Sequence, residues 1–143
     1  MNVRYFALIY GIVFLLVGIA GFVPGLVTPM EGAAEQGVAG SHGHLFGLFP
    51  VNFLHNLVHI AFGIAGFVAY RTFSSARLYA KVVAIAYAVL MVFGLIPGLN
   101  TLFGLVPLYG HDVWLHAVLA AGAAYFGFFA RPAEEHGTVT SRV

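Results

Sequence analysis

Four long apolar stretches, almost free of charge, constrain this chain more than anything else in it. They run approximately over Tyr5–Val23, Val51–Tyr70, Val82–Ile96 with its flanks, and Leu108–Ala130. A bilayer core takes roughly 20 apolar residues of helix to cross. Backbone polar groups find no water there, so a span must bond internally, as a helix does. Only 8% of the 143 residues are charged, against about a quarter in a soluble domain. The expected fold is all-α: a four-transmembrane-helix bundle. A single integral membrane domain is expected over 1–131, with 132–143 a polar, disordered cytoplasmic tail. The first apolar run is longer than a signal-peptide core and no clear small-x-small cleavage site follows it, so it is read as retained.

The chain also resembles itself. Leu45-Phe46-Gly47-Leu48-Phe49-Pro50 is followed nine residues after its proline by His59, and Leu102-Phe103-Gly104-Leu105-Val106-Pro107 nine residues after its own by His116. Arg4-x-x-Ala7, Gly21 and Pro24-Gly25-Leu26 recur as Arg77-x-x-Ala80, Gly94 and Pro97-Gly98-Leu99. This predicts two tandem helical hairpins, repeat one over about 3–70 and repeat two over about 76–130. An even number of spans per repeat leaves both in one orientation, related by a pseudo-twofold axis along the membrane normal. Leu45–Phe49 and Leu102–Val106 are expected as short interfacial or re-entrant pieces. Pro50 and Pro107 then fall near the first turns of helices 2 and 4.

Basic residues set the expected orientation. Arg4, Arg71, Arg77, Lys81, Arg131 and Arg142 fall on one side of a four-span arrangement, and Glu31, Glu35 and Asp112 on the other. The positive-inside rule then puts both termini in the cytoplasm. The Gly25–His44 loop lies outside and is expected to be mobile. A net charge of +1 gives no case for a nucleic-acid partner.

Within the apolar helices, the polar residues keep helical spacing. His55 and His59 lie at i and i+4, as do Asp112 and His116, so each pair shares one helix face. Ionisable groups in a span are costly and mark a functional site by default. The chain has no cysteine, which removes thiolate sites, Fe–S clusters and c-type haem; any metal must use nitrogen and oxygen. Three imidazoles and a carboxylate suit a divalent transition metal: zinc first, with iron, copper and manganese as alternatives. His55, His59, Asp112 and His116 are the candidate ligands. His111, Asn52, Asn56 and Tyr109 are candidates to hydrogen-bond them, and His42 and His44 to capture ions from the loop. The simpler alternative is that the histidines only hydrogen-bond to Asn, Tyr and backbone groups. A b-type haem between His59 and His116 is a further alternative. Tyr10 and Tyr87 are read as helix contacts. The sequence shows no nucleophile–base pairing, phosphate loop or carboxylate dyad, which leans against an enzyme and leaves the question open.

Arg4–Ala7, Leu45–Asn52, His55-x-x-x-His59 and His111-Asp112-x-x-x-His116 together resemble a bacterial four-helix membrane family, domain of unknown function 4383. The resemblance covers nearly all of Val3–Ala130. It implies four spanning helices and a bacterial origin, and supplies no activity, substrate or cofactor; with the expected spans, the chain is read as a protein of the bacterial inner membrane. The expected function is metal binding near the outer face, for transport, sensing or structural support. The alternatives are a ligand-free accessory or scaffold subunit of a larger membrane complex and a haem electron-transfer protein. The expected partners are the bilayer and further subunits, either copies of the chain or a larger complex.

Overall fold

The computed structural model describes residues 2–30 and 42–131. The expectations for Glu31, Glu35, Arg142 and the tail Pro132–Val143 lie outside them. Four helices form among the described residues: α1 Val3–Ala20, α2 Phe53–Ala69, α3 Phe73–Leu95 and α4 His111–Ala124, the last prolonged by a π-helical turn Tyr125–Phe129. α1, α3 and α4 with its extension are long and apolar enough to cross a membrane; α2, with 17 residues, is shorter. Side-chain caps start three of them. Asn2 Oδ1 accepts from Arg4 N, Asn52 Oδ1 from His55 N and Thr72 Oγ1 from Ser75 N, each satisfying an orphan donor of a first turn. Large apolar residues such as Leu16, Val68 and Leu78 face outward, as lipid-facing residues do.

α1 packs chiefly on α2 and α3 chiefly on α4, while α1 and α3 join the two pairs. Gly63 and Gly66 lie against α1 rather than across from α4. A Cβ on Gly66 would stand 2.7 Å from the Ala7 carbonyl oxygen and from Gly11 Cα, so only a residue without one lets these backbones meet. Two tyrosines tie the pairs together. Tyr10 donates to the Leu119 carbonyl at 3.3 Å, and Tyr79 to the Phe62 carbonyl at 3.1 Å.

A small antiparallel sheet corrects the expectation for the loops. Strands β1 Val27–Pro29, β2 His42–Leu45 and β3 Phe49–Asn52 lie in the order β1-β2-β3. Gly43 pairs with Val51, Leu45 with Phe49, and Val27 with Leu45. Leu45–Phe49 is therefore a strand end and a tight turn rather than a re-entrant piece. Pro50 sits in β3, ahead of α2, not in its first turn. Proline cannot donate to a ladder, and both Pro50 and Pro29 lie in edge strands, where that is tolerated. Pro107 likewise precedes α4.

The second loop echoes the first without forming a sheet. Leu48 N donates to Leu45 O at 3.1 Å, and Leu105 N to Leu102 O at 3.2 Å; Leu108 N donates to Asn100 O at 2.8 Å. Phe46 and Gly47 have positive φ, as do Leu102, Phe103 and Gly104. At the opposite end Arg4 Nε donates to the Tyr70 carbonyl at 2.9 Å, and Arg77 Nε to the Gly127 carbonyl at 3.0 Å. Each arginine thus caps the C-terminal end of its neighbouring helix.

Candidate metal centre

The polar faces of α2 and α4 meet beneath the sheet. Asn52 fixes the start of α2: besides capping it, its Nδ2 donates to the Leu105 carbonyl at 2.7 Å, linking the two hairpin loops. His55 and His59 follow on the same face, ring centroids 4.4 Å apart. His55 Nδ1 lies 3.2 Å from the Pro50 carbonyl and His59 Nδ1 3.1 Å from the His55 carbonyl. A carbonyl only accepts, so in these bonds Nδ1 carries the proton and Nε2 keeps its lone pair. A metal-bound histidine is held in this manner by its other nitrogen.

From α4, Asp112 and His116 are each 2% exposed. One donor atom from each of His55, Asp112 and His116 lies within 4.8 Å of the other two. In a tetrahedral zinc site with bonds of about 2.1 Å, donors stand roughly 3.4 Å apart, so modest side-chain rotation closes the gap. Asp112 Oδ2 and His116 Nδ1 are buried with no hydrogen-bond partner among the described residues. Buried polar atoms are seldom left so. His59 stands outside the three-residue group, although it lines the same cavity of about 90 Å³, with Leu45 and Val51 of the sheet above.

Two aromatic rings close the inner side. Phe14 of α1 meets His59 edge-on at 5.6 Å, and Tyr87 of α3 meets His116 edge-on at 5.0 Å. Phe14 and Tyr87 stack on each other at 5.3 Å, 12° from parallel. Further rings continue toward the arginine-bearing end, with Phe6 beside Tyr10 at 4.0 Å and beside Phe126 at 4.7 Å. Phe14 was missed as a neighbour of the site. Its signal was its place opposite Tyr87 when Arg4 is laid on Arg77.

The candidates for hydrogen bonds to the ligands divide: Asn52 and Tyr109 stand beside ligand residues, while Asn56 and His111 have other partners. Asn52 is a helix cap. Asn56 packs against Gly21, the C-cap residue that follows α1. His111 is exposed, its Nδ1 accepting from Trp114 Nε1 at 3.0 Å. Tyr109, half-buried just ahead of α4, stands near enough to Asp112 to feel its charge. His44 lies in β2, and strand alternation turns it away from the cavity that Leu45 lines. His42 pairs through its backbone with Asn52; its side chain lies outside what is described.

Residues 4–129 match the family described as Domain of unknown function (DUF4383). The chain belongs to that family. No curated protein and no solved structure matches it. For this DUF4383 chain, the chemistry therefore rests on its own residues: two imidazoles and a carboxylate converging in a small buried cavity, with a third imidazole beside them.

Proposed function

We propose that this protein holds one divalent transition metal ion, zinc first, between α2 and α4, through His55, Asp112 and His116, with His59 as the fourth donor in reach. The carrying observation is the convergence of three buried donor groups, two of whose atoms have no hydrogen-bond partner among the described residues. His55 comes from one hairpin and Asp112 and His116 from the other, so the ion ties the hairpins together. That favours a structural role over transport. The Phe14–Tyr87 stack and the rings beyond it fill the way from the site toward the arginine-bearing end, where a transport path would run. Haem is disfavoured, because the cavities beside the histidines are about 70 and 90 Å³, while sites for organic ligands run to roughly 300–1,000 Å³. The test is elemental analysis of detergent-purified protein carrying no histidine tag. One zinc per chain, with X-ray absorption giving N/O neighbours at about 2.0–2.2 Å, is expected. Metal-free protein after growth with ample zinc, iron, copper and manganese would leave the ligand-free scaffold reading.

The two-hairpin repeat belongs to the same reading. Laid Arg4 on Arg77 and Leu45 on Leu102, the chain pairs Arg4–Tyr70 with Arg77–Gly127, and Phe14–His59 with Tyr87–His116. Four contacts in matching register support a pseudo-twofold axis running between Phe14 and Tyr87 and through the metal site.

Four spans with both termini cytoplasmic, in a bacterial inner membrane, complete the proposal. The described basic residues all lie at the end opposite the metal site. In intact cells an impermeant thiol reagent should label Gly40→Cys and spare Thr138→Cys. The opposite pattern would reverse the orientation.

A further inference from the structure

We propose that the basic end of the bundle binds one anionic phospholipid, its phosphate against Ser74, Arg77 and Lys81 and an acyl chain in the groove between α2 and α3. This rests on the membrane reading and not on the metal. The headgroup pocket, about 370 Å³, is lined by Phe73, Ser74, Arg77, Leu78 and Lys81. These residues recur along one face of the first turns of α3. An apolar groove of about 470 Å³ adjoins it, lined by Phe62, Ala65, Ala69, Leu78, Tyr79 and Val82 among others. Leu78, 64% exposed, borders both. α2 and α3 pack loosely on each other compared with the helix pairs of the hairpins, and the small side chains of Ala65 and Ala69 leave the space between them. The groove's volume falls within the roughly 300–1,000 Å³ of ligand sites.

Charge says what occupies it. Asp112, at the far end of the bundle, is the sole carboxylate among the described residues, so no described carboxylate stands beside either cation. Arg77 commits Nε and Nη2 to the Gly127 and Phe128 carbonyls, yet a guanidinium carries five N–H donors. Lys81 Nζ lies 5.5 Å from the centroid of the Phe128 ring, which holds the ammonium at the rim rather than in solvent. Two cations and a hydroxyl above an apolar channel match a phosphodiester above a hydrocarbon chain. Basic pockets between spanning helices take anionic headgroups in this manner.

The test is native mass spectrometry of the full chain in maltoside micelles, with dioleoyl-phosphatidylglycerol and dioleoyl-phosphatidylcholine at equal concentration. Wild type should retain one phosphatidylglycerol in preference to phosphatidylcholine. Lys81→Gln should weaken that binding roughly fivefold, the worth of one basic residue at a charged surface. Arg71→Gln, a cation of the same end outside the pocket, should not weaken it. Ala65→Leu, which fills the groove, should weaken retention of both lipids; Lys81→Gln decides alone if that variant does not fold. Equal retention of the two lipids by wild type would overturn the proposal, as would equal losses in Lys81→Gln and Arg71→Gln. Displacement of the lipid by millimolar sodium phosphate would overturn it in favour of a free-anion site.

Discussion

Asp112→Asn should melt below wild type when zinc is present and at or above it after chelation. The sign change follows from the site. With the ion bound, the carboxylate is a ligand, and binding to the folded state alone stabilises it by mass action. That is worth about 4 kcal/mol at a thousandfold excess over Kd, or on the order of 10 °C for a chain of this size. Without the ion, Asp112 is a buried carboxylate whose Oδ2 has no partner among the described residues, and an isosteric amide removes the cost of that charge. A carboxylate serving only in hydrogen bonds would give a loss under both conditions. His116→Ala should melt lower with zinc and be indifferent to the chelator. Acidification should release the ion from wild type as the imidazoles take up protons, since only neutral histidine ligates. Thermal unfolding in detergent, with and without chelator, reads all of these. Identical shifts for Asp112→Asn in the two conditions would remove the metal from the account.

The second large effect belongs to Gly66. An alanine there would put its Cβ 2.7 Å from the Ala7 carbonyl oxygen and from Gly11 Cα. Both are backbone atoms, so no rotamer change relieves the clash and α1 must move away from α2. Overpacking of this kind costs about 1–3 kcal/mol, sometimes more. Gly25→Ala is the matched control, because a Cβ there meets nothing within 4 Å. Denaturant titration of the two variants should show a large loss for Gly66→Ala and almost none for Gly25→Ala. Equal midpoints would mean that α1 and α2 do not cross where described.

The helices were legible because apolar length and the i, i+4 spacing of His55, His59, Asp112 and His116 are local properties. The sheet was not. β2 is only four residues long, β3 shows no alternation and contains Pro50, and β1 is separated from its partner in sequence by residues 30–41. Pairing over that distance leaves no trace in a short window. The site was legible as a set of faces and not as a set of distances. Periodicity puts His59 on the same face as His55, but the separation and crossing of α2 and α4 decide which imidazole comes within reach of Asp112. The role of Asn52 could have been read, since Asn at the start of an apolar helix is a cap signal. The role of Asn56 could not, because it depends on Gly21 at the end of another helix.

The reciprocal tyrosine bonds bear on how the molecule moves. Tyr10 reaches from α1 to the Leu119 carbonyl on α4, and Tyr79 from α3 to the Phe62 carbonyl on α2. Each hairpin therefore grips the other with one arm, well away from the Asn52–Leu105 clasp at the loop end. Two bodies joined at separated points cannot scissor about either one. Slow hydrogen exchange should accordingly be shared by all four helix midsections, with the looser amides confined to the loops and helix ends. The bundle is built as a braced frame, in which a load on one hairpin is borne by both.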